Sequence, residues 1–163
     1  TEVIAQAVRN FRGLPFRLEP VAEIDGVRYI NDSFSVNQYA TIAAINSFEP
    51  AHEVLILGGY KRGIDLRPMT EAVAKARPRQ VVVLGQTGMQ IKDQLEVLGY
   101  RHVVHGGSSM TGVVAAARSA ARPGDVVLLS PGCPSFDMFK DYKDRGRQFA
   151  QAVQALLQKG QPA

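Results

Sequence analysis

Four short segments carry the side chains able to do chemistry. Gly13-Leu14-Pro15-Phe16-Arg17 ends on a guanidinium, whose planar fork suits a phosphate or carboxylate; the other reading is a solvated surface charge. Asn31-Asp32-Ser33-Phe34-Ser35-Val36-Asn37 crowds a carboxylate, two hydroxyls and two amides into seven positions. These are helix caps or the lining of a site. In Gly58-Gly59-Tyr60-Lys61-Arg62-Gly63-Ile64-Asp65 the glycines permit a tight turn. The cations Lys61 and Arg62 follow, set to hold an anion or merely solvated. The spacing is not that of a Walker A phosphate loop. The fourth segment runs from Ser130-Pro131-Gly132-Cys133-Pro134-Ser135 through Phe136 and Phe139 to Tyr142, Arg145 and Gly146. Ser135 is expected to open the final helix, where free amides and a hydroxyl bind an anion or simply cap the end. A glycine inside a helix costs about 1 kcal/mol relative to alanine, so Gly146 implies close approach of another element.

Several chemistries are excluded or disfavoured. Cys133 is the only cysteine, so one chain builds neither a disulfide nor a thiolate metal site. Paired with His102 and His105 it lacks the third group of a nucleophilic triad, and it reads as a small buried residue. The net charge is +4 without a run of Lys or Arg, which gives no nucleic-acid arm. Apolar runs such as Val54–Leu57, Val81–Leu84 and Val126–Leu129 are strand-length, far below the ~20 residues of a membrane span. The expectation is a cytoplasmic, monomeric protein with no nucleic-acid or membrane partner.

The elements that must position these groups follow from the hydrophobic pattern. Leu18–Ile24 and Val27–Asn31 flank Asp25-Gly26, a hairpin turn signal. Helices are expected at Ala40–Phe48, Leu66–Ala76, Gly88–Leu98, Met110–Ala121 and Ser135–Leu157. Strands are expected at Glu53–Leu57, Gln80–Leu84, His102–His105 and Asp125–Leu129. Strands without polar alternation, separated by helices, define a doubly wound, mostly parallel α/β sheet with helices on both faces (Rossmann-like), preceded by an antiparallel hairpin. In such sheets ligands sit beyond the carboxyl ends of the strands, expected here at Asn31–Asn37, Gly58–Asp65, Gly85–Gly88, Gly106–Ser109 and Ser130–Ser135, which take in three of the four segments. From the residues alone, the chain is an α/β domain with anion-friendly loops along one sheet edge.

Taken together, the four segments resemble the C-terminal domain of the Mur ligase family, the ATP-dependent amide ligases of peptidoglycan synthesis, and in particular its glutamate-adding branch. That branch shows Gly-Leu-Pro-His-Arg, Asn-Asp-Ser-Lys-Ala-Thr-Asn, a Gly-Gly loop with Lys and Asp, and Leu-Leu-Ser-Pro-Ala-Cys-Ala-Ser-Phe-Asp-x-Phe followed by Arg-Gly-x-x-Phe. The match runs in order from about Phe11 to the end of the final helix. The resemblance implies an acid–D-amino-acid ligase joining glutamate to UDP-N-acetylmuramoyl-L-alanine through an acyl phosphate. It also implies ATP and Mg2+, both held mainly by a central domain of the same polypeptide. By position, Arg17 and Asp32 fall on ATP-binding residues. Arg62, or Lys61 with the loop shifted, Ser135, Ser35 and Tyr142 fall with the amino-acid-binding group. No catalytic residue is carried over.

The expected organisation is the tail of a preceding domain or linker at residues 1–12, the ligase C-terminal domain at 13–158, and a disordered tail at 159–163. A start of Thr1-Glu2-Val3-Ile4 reads as a cut within a longer polypeptide bearing N-terminal and central domains, and the domain alone is expected to be inactive. Phe16 replaces the family's His, and Phe34-Ser35-Val36 replaces Lys-Ala-Thr. A lost cation and a shifted hydroxyl leave D-glutamate, L-glutamate or another acidic amino acid open. The alternative function is a non-catalytic nucleotide- or ligand-binding module derived from such a ligase. The whole assignment requires Ser135 and the Lys61–Arg62 turn to face one another.

Overall fold

The computed structural model describes Gln6 and residues 13–159. The expected preceding domain at 1–12 and tail at 159–163 fall almost wholly outside the described residues. Six strands form one sheet in the order β1-β2-β6-β3-β4-β5: β1 (Glu19–Ile24), β2 (Val27–Asn31), β3 (Glu53–Gly58), β4 (Gln80–Leu84), β5 (Val103–His105) and β6 (Val126–Leu129). β1 and β2 pair antiparallel and every other pair is parallel. The helices are α1 (Gln38–Ile45), α2 (Arg67–Ala76), α3 (Gly88–Val97), α4 (Met110–Ala120) and α5 (Tyr142–Lys159), with a single 3-10 turn at Pro50–His52.

Strand periodicity sorts the core into two layers. Side chains alternate across a strand, so Val54 and Ile56 of β3 face the layer closed by α4 and α5 through Val113, Ala117, Phe149 and Val153. Leu55 and Leu57 face the opposite layer, closed by α1, α2 and α3 through Ile45, Met69, Val73, Ile91 and Leu95. Every residue of β3 is buried because it lies inside a sheet covered on both faces. The hairpin turns on Asp25 and Gly26 with φ of 51° and 74°, the double positive φ that an Asp-Gly turn supplies.

The element bounds differ from expectation at the ends that matter. The final helix begins at Tyr142, not Ser135. Residues 135–141 form turns, in which Met138 and Phe139 donate backbone N–H bonds to the Ser135 carbonyl at 3.3 and 2.9 Å. The cap of α5 is Asp141, whose Oδ1 accepts from the Asp144 N–H at 2.7 Å. Asp144 reaches back to accept from the Lys140 N–H at 3.1 Å, a reciprocal arrangement close to a capping box. Helix α1 is capped by Asn37, which accepts from Ala40 N–H at 3.1 Å. Asp32, Ser33 and Ser35 are thereby released from capping.

Gly146 is used as its position implied. A Cβ there would collide with the Phe16 ring and press on Asn31 Nδ2, which donates to the Gly146 carbonyl at 3.0 Å. The N-terminal segment is thus locked against α5.

Candidate ligand clefts at the carboxyl edge of the sheet

The carboxyl ends of β2, β6 and β3 bring three of the four segments together, and Asp32 organises the first. Its Oδ1 accepts from Leu18 N–H at 3.2 Å. Its Oδ2 accepts from Ser130 Oγ at 2.8 Å and from Ser35 Oγ. The loops after β2 and β6 and the stretch before β1 therefore meet on one buried carboxylate.

Arg145 anchors the second junction. It is fully buried and has no carboxylate within ion-pair distance among the described residues. Its Nε donates to Ser33 Oγ at 3.0 Å, Nη2 to the Ser33 carbonyl at 2.9 Å and Nη1 to the Cys133 carbonyl at 2.9 Å. Burial lowers its pKa to about 10, still above neutrality, so it remains a cation satisfied by neutral acceptors. Ser33 Oγ in turn donates to the Tyr142 carbonyl at 2.7 Å.

The Gly58-Gly59 turn joins this junction. Gly58 N–H donates to the Pro131 carbonyl and Tyr60 N–H to the Pro134 carbonyl, both at 2.8 Å. Gly59 has φ 151°, and a Cβ there would collide with the Pro134 carbonyl, so the position demands glycine. Cys133 is buried and free, and desolvation raises its thiol pKa, as befits a packing residue and not a thiolate nucleophile.

Two clefts open beyond β2, β6 and β3. The first, about 430 Å3, is lined by Arg17, Asp32, Phe34, Ser35, Val36 and Asn37 with the start of α1. The Arg17 guanidinium lies 4.1 Å from the Phe34 ring centroid, a cation–π contact that orients it. The second, about 180 Å3, is lined by Val36, Arg62, Pro134, Ser135, Phe136, Asp141 and Tyr142. Val36 belongs to both. The partition between them is aromatic: Tyr142 meets Phe34 edge-on at 5.0 Å and Phe16 at 6.0 Å.

Arg62, Ser135 and Tyr142 thus share one cleft, as required, and Arg17 shares the other with Asp32. Ser35, expected beside Ser135, instead lines the first cleft and donates its hydroxyl to Asp32. Lys61 lines neither cleft; its N–H donates to Gln86 Oε1 at 3.2 Å. Ser135 is placed not by a helix end but by the turn after Pro134. Two residues escaped the sequence reading. Asp141 carries no signal until the true start of α5 is known. Arg145 was legible as part of the fourth segment, but its buried bonds to Ser33 and Cys133 were not.

Among the described residues no group of three or more His, Cys, Asp or Glu side chains converges to hold a metal. The first cleft offers one guanidinium among apolar side chains and the polar Asp32, Ser35 and Asn37, which fit part of a nucleotide and not a whole phosphate cradle. Among the described residues no helix is long and apolar enough to cross a membrane.

A mostly parallel α/β sheet, with two clefts beyond its carboxyl edge that each hold a cation and a hydroxyl, defines the class: a domain of the doubly wound type, in which such edges are where ligands bind. The chain belongs to the family described as Mur ligase, glutamate ligase domain, whose model matches residues 16–133. Relatives include the UDP-N-acetylmuramoylalanine–D-glutamate ligase of Marinobacter nauticus, 46% identical over 95% of this chain and 34% of the relative. The UDP-N-acetylmuramoyl-L-alanine–L-glutamate ligase of Xanthomonas euvesicatoria is 37% identical over 91% of this chain and 32% of its own length. The chain therefore spans about a third of the length of the curated relatives it matches.

Solved structures share the fold. The bifunctional folylpolyglutamate synthase/dihydrofolate synthase of Yersinia pestis matches with a TM-score of 0.63 at 18% identity, over 96% of this chain and 34% of that one. The MurF ligase of Thermotoga maritima, solved with ADP, matches with a TM-score of 0.59 at 15% identity, over 92% and 33%.

Proposed function

We propose that this chain is the amino-acid-binding domain of an ATP-dependent ligase that joins D-glutamate to UDP-N-acetylmuramoyl-L-alanine in the cytoplasm. The carrying observation is the small second cleft, in which Arg62 and Ser135 stand together. At about 180 Å3 it is less than half the size of the first cleft, about 430 Å3, and suits an amino acid better than a nucleotide. A guanidinium and a hydroxyl in a partly enclosed site bind a carboxylate more strongly than they would in open water.

ATP, with Mg2+ held by the partner domains, supplies the phosphoryl group that activates the muramoyl-alanine carboxylate. On this chain Arg17, steered by Phe34, meets phosphate oxygens, and Asp32 fixes the floor of that cleft through the hydroxyls it gathers. The second cleft orients glutamate so that its nitrogen approaches the activated carbon, and orientation of this kind is a major part of the rate gain in a bimolecular step. Val36 and the Phe34–Tyr142 wall separate the two ligands by a single layer of side chains. L-glutamate is the second reading, favoured by the L-glutamate-ligase relatives and by Phe34 and Val36 in place of the family's Lys and Thr.

The test is steady-state kinetics of the full-length protein with each enantiomer. Arg62→Ala and Ser135→Ala are each expected to raise the KM for the amino acid about 10-fold or more, the scale of a lost charge-assisted hydrogen bond, with little effect on the KM for ATP. Unchanged amino-acid kinetics in both variants would remove the assignment.

A further inference from the structure

The second cleft holds two opposite charges that do not meet. Arg62 comes from the turn after β3 and Asp141 from the cap of α5, and both line the same cavity of about 180 Å3. Neither takes part in an ion pair among the described residues. Asp141 directs Oδ1 to the Asp144 N–H at 2.7 Å, and no hydrogen bond to Oδ2 is formed among the described residues. An acid and a base facing one small cleft without pairing leave room for a ligand that carries both charges.

We infer that Asp141 receives the ammonium group of the incoming amino acid, opposite a carboxylate held by Arg62 and Ser135. This rests on the reading of the second cleft as the amino-acid site and deepens it. A glutamate brings two carboxylates and one ammonium. A carboxylate directed at Asp141 is repelled and an ammonium is attracted, so a single charge both favours one orientation and disfavours its reverse. The carboxylate on Arg62 and Ser135 and the ammonium on Asp141 then fix two substituents of the α-carbon, and the direction the cleft leaves open for the side chain supplies the third placement needed to tell one enantiomer from the other.

The cap and the ligand role are separable by chemistry. Asparagine and serine cap helices as well as aspartate does but carry no charge, so Asp141→Asn and Asp141→Ser keep α5 while removing the attraction. The experiment uses the full-length protein and two probes: glutamate as substrate, and glutarate, with both carboxylates and no amine, as inhibitor. In both variants the KM for glutamate is expected to rise about 10-fold, with glutarate inhibition unchanged or tighter because a repelling charge has gone. The ratio of kcat/KM between the enantiomers of glutamate is expected to fall towards one. An unchanged KM, or equal weakening of glutamate and glutarate, overturns the inference; a melting temperature within a few degrees of the parent confirms that the helix is intact. Arg62→Ala is the control: it should weaken both probes. If it weakens both while the Asp141 variants change neither, only the inference about Asp141 fails. If Arg62→Ala also changes neither, the cleft is not the amino-acid site and the proposed function falls with it.

Discussion

Arg145 shows how much one side chain can decide. It is among the largest fully buried side chains in the molecule, and its three hydrogen bonds tie α5 to the loops after β2 and β6. Removing it leaves the Ser33 and Cys133 carbonyls without their donor, and each unsatisfied buried acceptor costs about 1–3 kcal/mol. Arg145→Met is accordingly expected to destabilise the domain by about 2–5 kcal/mol in urea titrations, with loss of the second cleft. Arg145→Lys keeps the charge without the fork and should fall between Met and the parent.

Glu53 poses the opposite problem at the amino end of the sheet. It is fully buried, and neither carboxylate oxygen has a hydrogen-bond partner among the described residues. Desolvation raises its pKa to about 8. Because the folded pKa lies above the unfolded one, the protonated form favours the fold. Its contribution is complete below the unfolded value near 4.5 and is lost as pH rises through about 8. Stability should therefore decline across that window, and Glu53→Gln should flatten the decline and gain on the order of 1–3 kcal/mol at pH 8. Urea midpoints from pH 5 to pH 9 check both statements. Asp125, nearby, behaves differently: burial opposes its charge, but bonds from Arg122 N–H, Arg79 and His52 outweigh that and lower its pKa.

At the scale of elements, the contact of α5 with the segment before β1 is the joint most open to test. Gly146 admits the Phe16 ring, and Phe16 meets Tyr142 edge-on. Gly146→Ala should be worth a small gain in helix propensity but must displace that ring. A net loss of about 1–3 kcal/mol is expected, as for other overpacked sites, measurable by thermal unfolding. In the full-length protein the same variant should disturb the amino-acid KM, since Tyr142 lines the second cleft. The pattern of strands and helices was legible because each has its own hydrophobic period. The start of α5 was not. Residues 135–139 keep an apolar helix-like spacing in Phe136 and Phe139, yet the chain there makes turns whose backbone bonds converge on Ser135. Asp141 and Asp144 then satisfy the first amides of α5. Local spacing does not distinguish a helical turn that continues from one that stops.

For the whole molecule, each of the two clefts is only partly enclosed and presents one cation, Arg17 or Arg62. On the proposed reading, the remaining walls come from other domains of the ligase. Isothermal titration of this chain alone with ATP or with glutamate should show millimolar or weaker affinity, above roughly 1 mM on the free-energy scale where about 4 kcal/mol is gained. Nanomolar ATP binding by the isolated chain would contradict the proposal that the site is shared.

The sequence by itself determined the layered α/β sheet, the hairpin, the carboxyl-edge location of the loops and the identity of the four segments, because hydrophobic period and turn chemistry are local properties of a chain. It also carried the family resemblance. Only the tertiary structure decided that Ser35 gives its hydroxyl to Asp32, that Arg62 and not Lys61 lines the second cleft, and that Asp141 lines it too. Those outcomes depend on which loops meet across β2, β6 and β3, and loop meetings are set by the packing of distant elements, which no short window of residues contains.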